Sequence, residues 1–295
     1  MASSIEVDLN GPVHLADHGG TGIPILLIHG LGGSHVNWSA VAEPLTKFGA
    51  VRAIDLVGFG YTRPLGRSAA VEDQRDLVID YLREHADAPA LLVGNSMGGL
   101  ISILVAEAAP ELVDGLILVD AALPTIRPRF DIPVIKGLVR PLIPGVGQRM
   151  YEKVIEDPEA YMEQLFKILF VDGSNIGAEH RKVALDMAKA RADMPWAAPA
   201  FADAARSLFR VLLRRRAFVR RIESITADGL IAHGDKDRLV DVASARWLAK
   251  LRPDWQLEIF ENVGHVPQLE VPDRLLDVVE RWLATRSEHV SSTVK

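Results

Sequence analysis

Two rhythms of apolar positions run along the chain. Ile5 to Leu9 and Val13 to Asp17 are short and alternating, and Asn10-Gly11 between them predicts a β-hairpin. The apolar runs at 23–28, 50–56, 90–93 and 113–119 are instead nearly continuous, as expected of strands buried on both faces. Between them Val36 to Phe48, Val71 to His85 and Met97 to Ala108 follow helical spacing, so strand and helix alternate as in a parallel sheet covered on both sides.

That alternation stops at Pro124. Up to about Ile225 only helical patterns with proline or glycine breaks are visible. It resumes with strands over Gly229 to Ala232 and Leu257 to Phe260, and helices over Val242 to Leu251 and Arg274 to Ala284. The pattern predicts one α/β domain, formed by 1–122 and 226–295 and interrupted by an insertion at 123–225. The polar end, "SEHVSSTVK", reads as frayed.

Composition narrows the chemistry. The 295 residues contain no cysteine, which removes disulfides, thiolate nucleophiles and cysteine-held metals together. "MASSIEVDLNG" lacks the basic start and apolar stretch of a signal peptide, and no apolar run approaches the roughly 20 residues of a membrane span. A cytoplasmic protein without an integral membrane segment is expected. The net charge of −6 is uneven, because residues 123–225 carry 18 basic against 12 acidic side chains and the remainder 15 against 27. "RVLLRRRAFVRRI" (210–222) could face nucleic acid or an anionic membrane. Its apolar Val211, Leu212, Phe218, Val219 and Ile222 recur near helical spacing, however, which reads as one solvated arginine face.

"LLVGNSMGGLISIL" (91–104) breaks a hydrophobic run with one polar step. Gly94-Asn95-Ser96-Met97-Gly98 fits G-x-S-x-G between a strand and a helix, a sharp turn that exposes the serine hydroxyl. Serine needs a base to take its proton, and the base needs an acid to fix its tautomer. His265, in "ENVGHVPQLEVPD", follows the run Leu257 to Phe260 and is the best placed of nine histidines; His29 and His233, each followed by glycine, suit turns at strand ends. For the acid, Asp235 and Asp237 end one strand and Asp120 ends another, and spacing alone leaves the choice open. "LLIHGLGG" (26–33) offers a glycine-rich turn whose N–H groups, with that of Met97, could converge on an oxyanion. Its spacing fits neither nucleotide-binding glycine pattern, so no nucleotide cofactor is expected, and no metal-ligand motif appears.

These stretches together resemble the α/β-hydrolase family, specifically its capped members. His29-Gly30-Leu31-Gly32-Gly33 is similar to the oxyanion turn, Asp55 to Gly60 to the D-x-x-G-x-G loop and Gly94 to Gly98 to the nucleophile elbow. Gly234 to Asp237 is similar to the acid loop, and Gly264-His265 with Glu270 and Pro272 to the histidine loop. The resemblance, in order over about 23 to 285, implies Ser96 as nucleophile, His265 as base then acid, and Asp237 as orienting carboxylate. It further implies Leu31 and Met97 as oxyanion amides and 123–225 as a helical cap. Some capped relatives keep their acid at the position of Asp120.

A serine at 96 argues against the aspartate-nucleophile dehalogenases and epoxide hydrolases of the family. "GNSMGG" is similar to the elbow of hydrolases that cleave carbon–carbon bonds in aromatic ring-fission products, but those carry a longer glycine and proline turn after His-Gly and a tryptophan where this chain has Val266. The expected activity is hydrolysis of small to medium apolar carboxylic esters, with a small-molecule ester as partner and no nucleic acid. Carbon–carbon hydrolysis and slow-turnover reception of a small molecule are the alternatives. Phe166, Phe170, Met187, Met194, Trp196, Phe201 and Phe209 in the insertion suggest an apolar substrate portion, and Arg127, Arg181 and Arg191 are candidate cationic anchors for the carboxylate of a ring-fission product.

Overall fold

The computed structural model describes residues 2–124 and 156–293, with side chains to Arg286. Arg127 and the stretch 125–155 of the expected insertion lie outside the described residues.

Among the described residues eight strands form one sheet in the order β1-β2-β4-β3-β5-β6-β7-β8. They are β1 (Ser3–Asp8), β2 (Pro12–Gly19), β3 (Pro24–Ile28), β4 (Ala50–Ile54), β5 (Ala90–Asn95), β6 (Val113–Val119), β7 (Asp228–Gly234) and β8 (Gln256–Phe260). The hairpin β1–β2 and the β2–β4 pair are antiparallel, and every pairing from β4 to β8 is parallel. Asn10 and Gly11, both at positive φ, turn the hairpin where the sequence places it.

Parallel strands need crossovers, and these cover both faces. On one side α2 (Val71–His85), α3 (Met97–Ala108) and α8 (Ala243–Leu251) bury Leu77, Ile101, Leu104 and Leu248 against Leu26, Leu92, Leu116 and Ile231. On the other, Trp38, α1 (Ala42–Leu45) and α10 (Pro272–Thr293) pack Leu45, Leu275 and Trp282 on Leu27, Val93 and Ile117. Adjacent residues of one strand thus serve opposite cores, which is why these runs lack polar alternation.

Three expectations are corrected. Val36 to Phe48 is not one helix but a 3₁₀ turn, His35–Trp38, followed by the single turn α1. Pro44 has no N–H to bond the carbonyl four residues back, so an uninterrupted helix cannot pass through it. The polar end is helical in backbone as far as it is described, since α10 continues through "SEHVSST" to Thr293. The arginine-rich stretch spans two helices, because α6 (Ala197–Leu213) ends at Arg214, outside helical geometry, before α7 (Arg215–Ser224). Val211, Phe218 and Ile222 are buried as expected, and Arg214, Arg216 and Arg220 are exposed.

Between β6 and β7 the described chain is helical: α4 (Pro158–Leu169), α5 (Ala178–Ala192), α6 and α7. Asp157 caps α4 by accepting the Ala160 N–H. The second strand segment and the last crossover then place α9 (Pro267–Glu270) immediately after His265.

Candidate active site

Ser96 stands between β5 and α3 with φ 54° and ψ −117°, a conformation that L-residues adopt only when their surroundings over-determine it. Here the Ser96 N–H donates to the Val119 carbonyl at 3.0 Å, and its own carbonyl accepts from Ala122 at 2.9 Å and Leu100 at 3.2 Å. The turn also needs α3 to approach β3 closely. A β-carbon on Gly98 would lie 2.0 Å from the Ile28 carbonyl oxygen, so only glycine allows this approach. The result is a strand–turn–helix that lifts one hydroxyl to the C-terminal edge of the sheet, with Met97 at the first helical position, where N–H groups have no intrahelical acceptor.

The His29–Gly33 turn lies against that serine. A β-carbon on Gly30 would come within 3.1 Å of the Ser96 β-carbon, and the turn closes through Gly33 N–H to the Gly30 carbonyl at 3.0 Å. Leu31 is half-buried, packed on the larger core. His29 has the turn role its sequence suggested. Its Nδ1–H donates to the Gly30 carbonyl at 2.8 Å while Nε2 accepts the Leu56 N–H at 3.1 Å, and burial pulls its pKa down to about 4. Phe201, from α6, rests on Gly32, and Arg191, from the end of α5, donates to the Gly33 carbonyl at 3.3 Å.

His265 and Asp237 meet from separate loops. His265 Nδ1 lies 2.6 Å from Asp237 Oδ2, and both side chains are buried. Asp237 Oδ1 accepts the N–H groups of Leu239 at 2.7 Å and Val240 at 3.0 Å. Burial alone would raise this carboxyl, but His265, His233 and the Val240 N–H outweigh it and hold Asp237 below the ordinary carboxylate range. Asp235 turns away, accepting the Asn262 N–H at 2.6 Å and pairing with Lys236. Asp120 is also near, fully buried, accepting the Gly234 N–H at 3.0 Å. Burial and the neighbouring Asp237 charge push the Asp120 carboxyl well above its usual range. His233, kept neutral by burial, donates Nε2–H to the Val240 carbonyl at 2.9 Å.

Backbone ties hold the histidine loop at the elbow. Asn95 donates Nδ2–H to the carbonyls of both Val119 and His265. The His265 N–H donates to Leu169 at the end of α4, at 2.7 Å. The buried Glu270 accepts the N–H groups of Gly264, Val171 and Asp172, joining the same loop to the segment after α4. The roles of Asn95 and Glu270 as braces were not read from the sequence, although both lie inside its motifs.

Two sets of donors come together that the sequence reading did not find: His14, His35 and Asp55, and Asp120, His233 and Asp237, each with ligand-type atoms within 4.8 Å. In the first, Asp55 accepts from both imidazoles and from the N–H groups of His35 and Tyr61. Burial raises this carboxyl, and the hydrogen bonds from His14 and His35 more than reverse it, leaving Asp55 far below its ordinary range. The first set is held by these internal hydrogen bonds, and in the second Asp120 Oδ1, His233 Nε2 and both Asp237 oxygens are engaged. Asp55 thereby ties β2, β4 and the turn after β3 together beneath the Gly30 turn.

A hydroxyl on a strained elbow, an adjacent turn of backbone N–H groups and a buried imidazole–carboxylate pair carry the parts of acyl-transfer chemistry. Residues 23–272 match the family described by the alpha/beta hydrolase fold. The chain belongs to the α/β-hydrolase family. It is therefore a hydrolase by family, and among the described residues no helix is long and apolar enough to cross a membrane. This α/β-hydrolase is 27% identical over 277 residues to 2-hydroxymuconate semialdehyde hydrolase of Pseudomonas sp. (strain CF600), covering 90% of this chain and 88% of that one. It is also 27% identical over 272 residues to Lipase 1 of Psychrobacter immobilis, covering 87% and 75%. The solved structure of a variant of CumD, a meta-cleavage product hydrolase of Pseudomonas fluorescens IP01, superposes with TM-score 0.74 at 27% identity, covering 96% of this chain and 98% of that one.

Proposed function

We propose that this α/β-hydrolase cleaves carboxylic esters of small to medium apolar substrates through an acyl-enzyme on Ser96. The observation that carries the reading is the 2.6 Å His265–Asp237 pair, on a loop that Asn95 ties to the elbow of a serine held at φ 54°. His265 Nε2 takes the Ser96 proton as Oγ attacks the ester carbonyl, and Asp237 keeps Nδ1 protonated. The Leu31 and Met97 N–H groups receive the oxyanion. Collapse of the tetrahedral adduct expels the alcohol with the proton from His265, and water then repeats the sequence on the acyl-enzyme. The cap, 123–225, closes the pocket. Support comes from Phe201 on the Gly32 turn and from Leu169 bonded to the His265 N–H, so the inserted helices border both halves of the site. Of the other apolar residues of the insertion, Phe166, Phe170 and Met187 are buried, whereas Met194, Trp196 and Phe209 are half-buried.

One observation favours carbon–carbon hydrolysis instead. Ring-fission products carry a carboxylate, and Arg191 brings a cation to the Gly33 carbonyl. Arg181, by contrast, pairs with Glu163 over the Phe166 ring, away from the turn. Val266 after His265 and the short Leu31–Ser34 turn support the ester reading. Purified enzyme assayed on short and medium p-nitrophenyl esters and on a phenyl-substituted ring-fission dienoate separates the two. The ester reading expects kcat/KM for the best ester to exceed that for the dienoate at least about tenfold, and the reverse order would replace it.

A further inference from the structure

Asp120 ends β6 at φ 45°, in the left-handed region that aspartate tolerates better than most side chains, and its N–H is fixed to the Ala232 carbonyl of β7 at 2.9 Å. This backbone places its carboxyl next to that of Asp237, so the side chains of the two acids, both fully buried, bring carboxylate oxygens within 4.8 Å of one another. Other groups face the pair from three elements: His233 of β7, at 3.5 Å from Asp120 and 3.6 Å from Asp237, His265 of the loop after β8, and Glu270 of α9. Of these, His233 is neutral and already donates to Val240.

The supply of donors decides which carboxyl is ionised. Asp237 receives three N–H donors, from Leu239, Val240 and His265. Asp120 receives one, from Gly234 to Oδ1, and its buried Oδ2 has no hydrogen-bond partner among the described residues. A buried carboxylate oxygen without a donor is costly, whereas a protonated oxygen aimed at a carboxylate satisfies both groups. We propose that Asp120 is a positioning residue that carries a proton on Oδ2 and donates it to Asp237, giving a buried acid–carboxylate pair behind His265.

This pair holds one negative charge rather than two, matched to the single positive charge His265 acquires when it takes a proton. The Asp120 O–H adds a fourth hydrogen bond to Asp237, lowering its basicity so that the shared proton stays on His265 Nδ1. Its catalytic consequence rests on the reading of Ser96, His265 and Asp237 as the reacting set.

Two variants test it. In Asp120→Asn the amide can donate to Asp237 and accept from Gly234 without changing the charge of a protonated Asp120; Asp120→Leu keeps the branching at Cγ and can do neither. Infrared difference spectra at neutral pH read the proton directly and are recorded in the Ser96→Ala background, so that they do not depend on turnover. A neutral-carboxyl C=O band that disappears in Asp120→Asn is expected. For turnover, Asp120→Leu should lower kcat about tenfold or more and move the acidic limb of kcat/KM to higher pH, because an Asp237 short of one donor holds the His265 proton more tightly. Asp120→Asn should restore most of the lost kcat and leave the limb where the wild type has it. Absence of the band, or a limb displaced to lower pH by about one unit in Asp120→Asn, would show an ionised Asp120 and overturn the proposal. Should Asp120→Leu fail to fold, the band and the Asn limb decide. A wild-type rate surviving in Ser96→Ala would sink the nucleophile instead, leaving the infrared result standing.

Discussion

Asp237 Oδ2 lies 2.6 Å from His265 Nδ1, across a gap between the loop after β7 and the loop after β8. The contact distinguishes Asp237 from Asp235 two residues earlier, whose carboxylate serves the Asn262 N–H instead. Asp237→Asn would present an amide donor or a neutral acceptor to His265 and disfavour the tautomer that can accept from Ser96. The expected loss in kcat is about 10³-fold or more, against less than about tenfold for Asp235→Asn. Steady-state kinetics of both variants on one ester rank them, and equal losses would separate Asp237 from this role.

The close approach of α3 to β3 should make Gly98 far less tolerant than an open glycine. A β-carbon at 98 meets the backbone of Ile28, which cannot rotate away, whereas at Gly66 nothing lies within 4 Å and the penalty is that of its positive φ. Gly98→Ala should therefore cost about 2–3 kcal/mol of unfolding free energy or prevent folding, and Gly66→Ala about 1 kcal/mol. Urea denaturation followed by circular dichroism compares them; similar costs would mean that the elbow has room to relax.

His29 titrates in the folded protein near 4 because burial penalises its charged form, while in the unfolded chain it titrates near the ordinary histidine value of about 6.5. The folded state thus binds this proton less readily. Its stabilising contribution is complete above about pH 6.5 and is lost as pH falls toward 4, amounting to about 3 kcal/mol over that interval. Denaturation midpoints taken across the interval in wild type and His29→Gln should show a shallower pH dependence in the variant. Parallel profiles would mean that His29 is not the group being titrated.

The sequence conveys the parts of this molecule that are local. Gly94 to Gly98 is legible because a continuous apolar strand, a small-residue turn and an apolar helix adjoin in the chain, and the hairpin at Asn10-Gly11 is legible for the same reason. The choice among Asp120, Asp235 and Asp237 is not, since β6 and β7 are neighbours and the decision depends on how the Gly234 to Val240 turn aims its side chains. The cluster around Asp55 was hidden more deeply, because His14, His35 and Asp55 come from β2, the turn after β3 and the end of β4. Val36 to Phe48 misled because its helical spacing persists through Pro44, where hydrogen bonding fails. The break at Arg214 has no proline or glycine to announce it.

The account depends most on Ser96 being the atom that is acylated. Incubating the enzyme with a fluorophosphonate and digesting it for peptide mass spectrometry places the adduct directly, and Ser96→Ala measured alongside reports the rate that remains. One adduct per chain on Ser96, with ester turnover reduced at least about a thousandfold in a folded Ser96→Ala, is the predicted result. An adduct on another residue, or substantial turnover surviving in the folded variant, would contradict it.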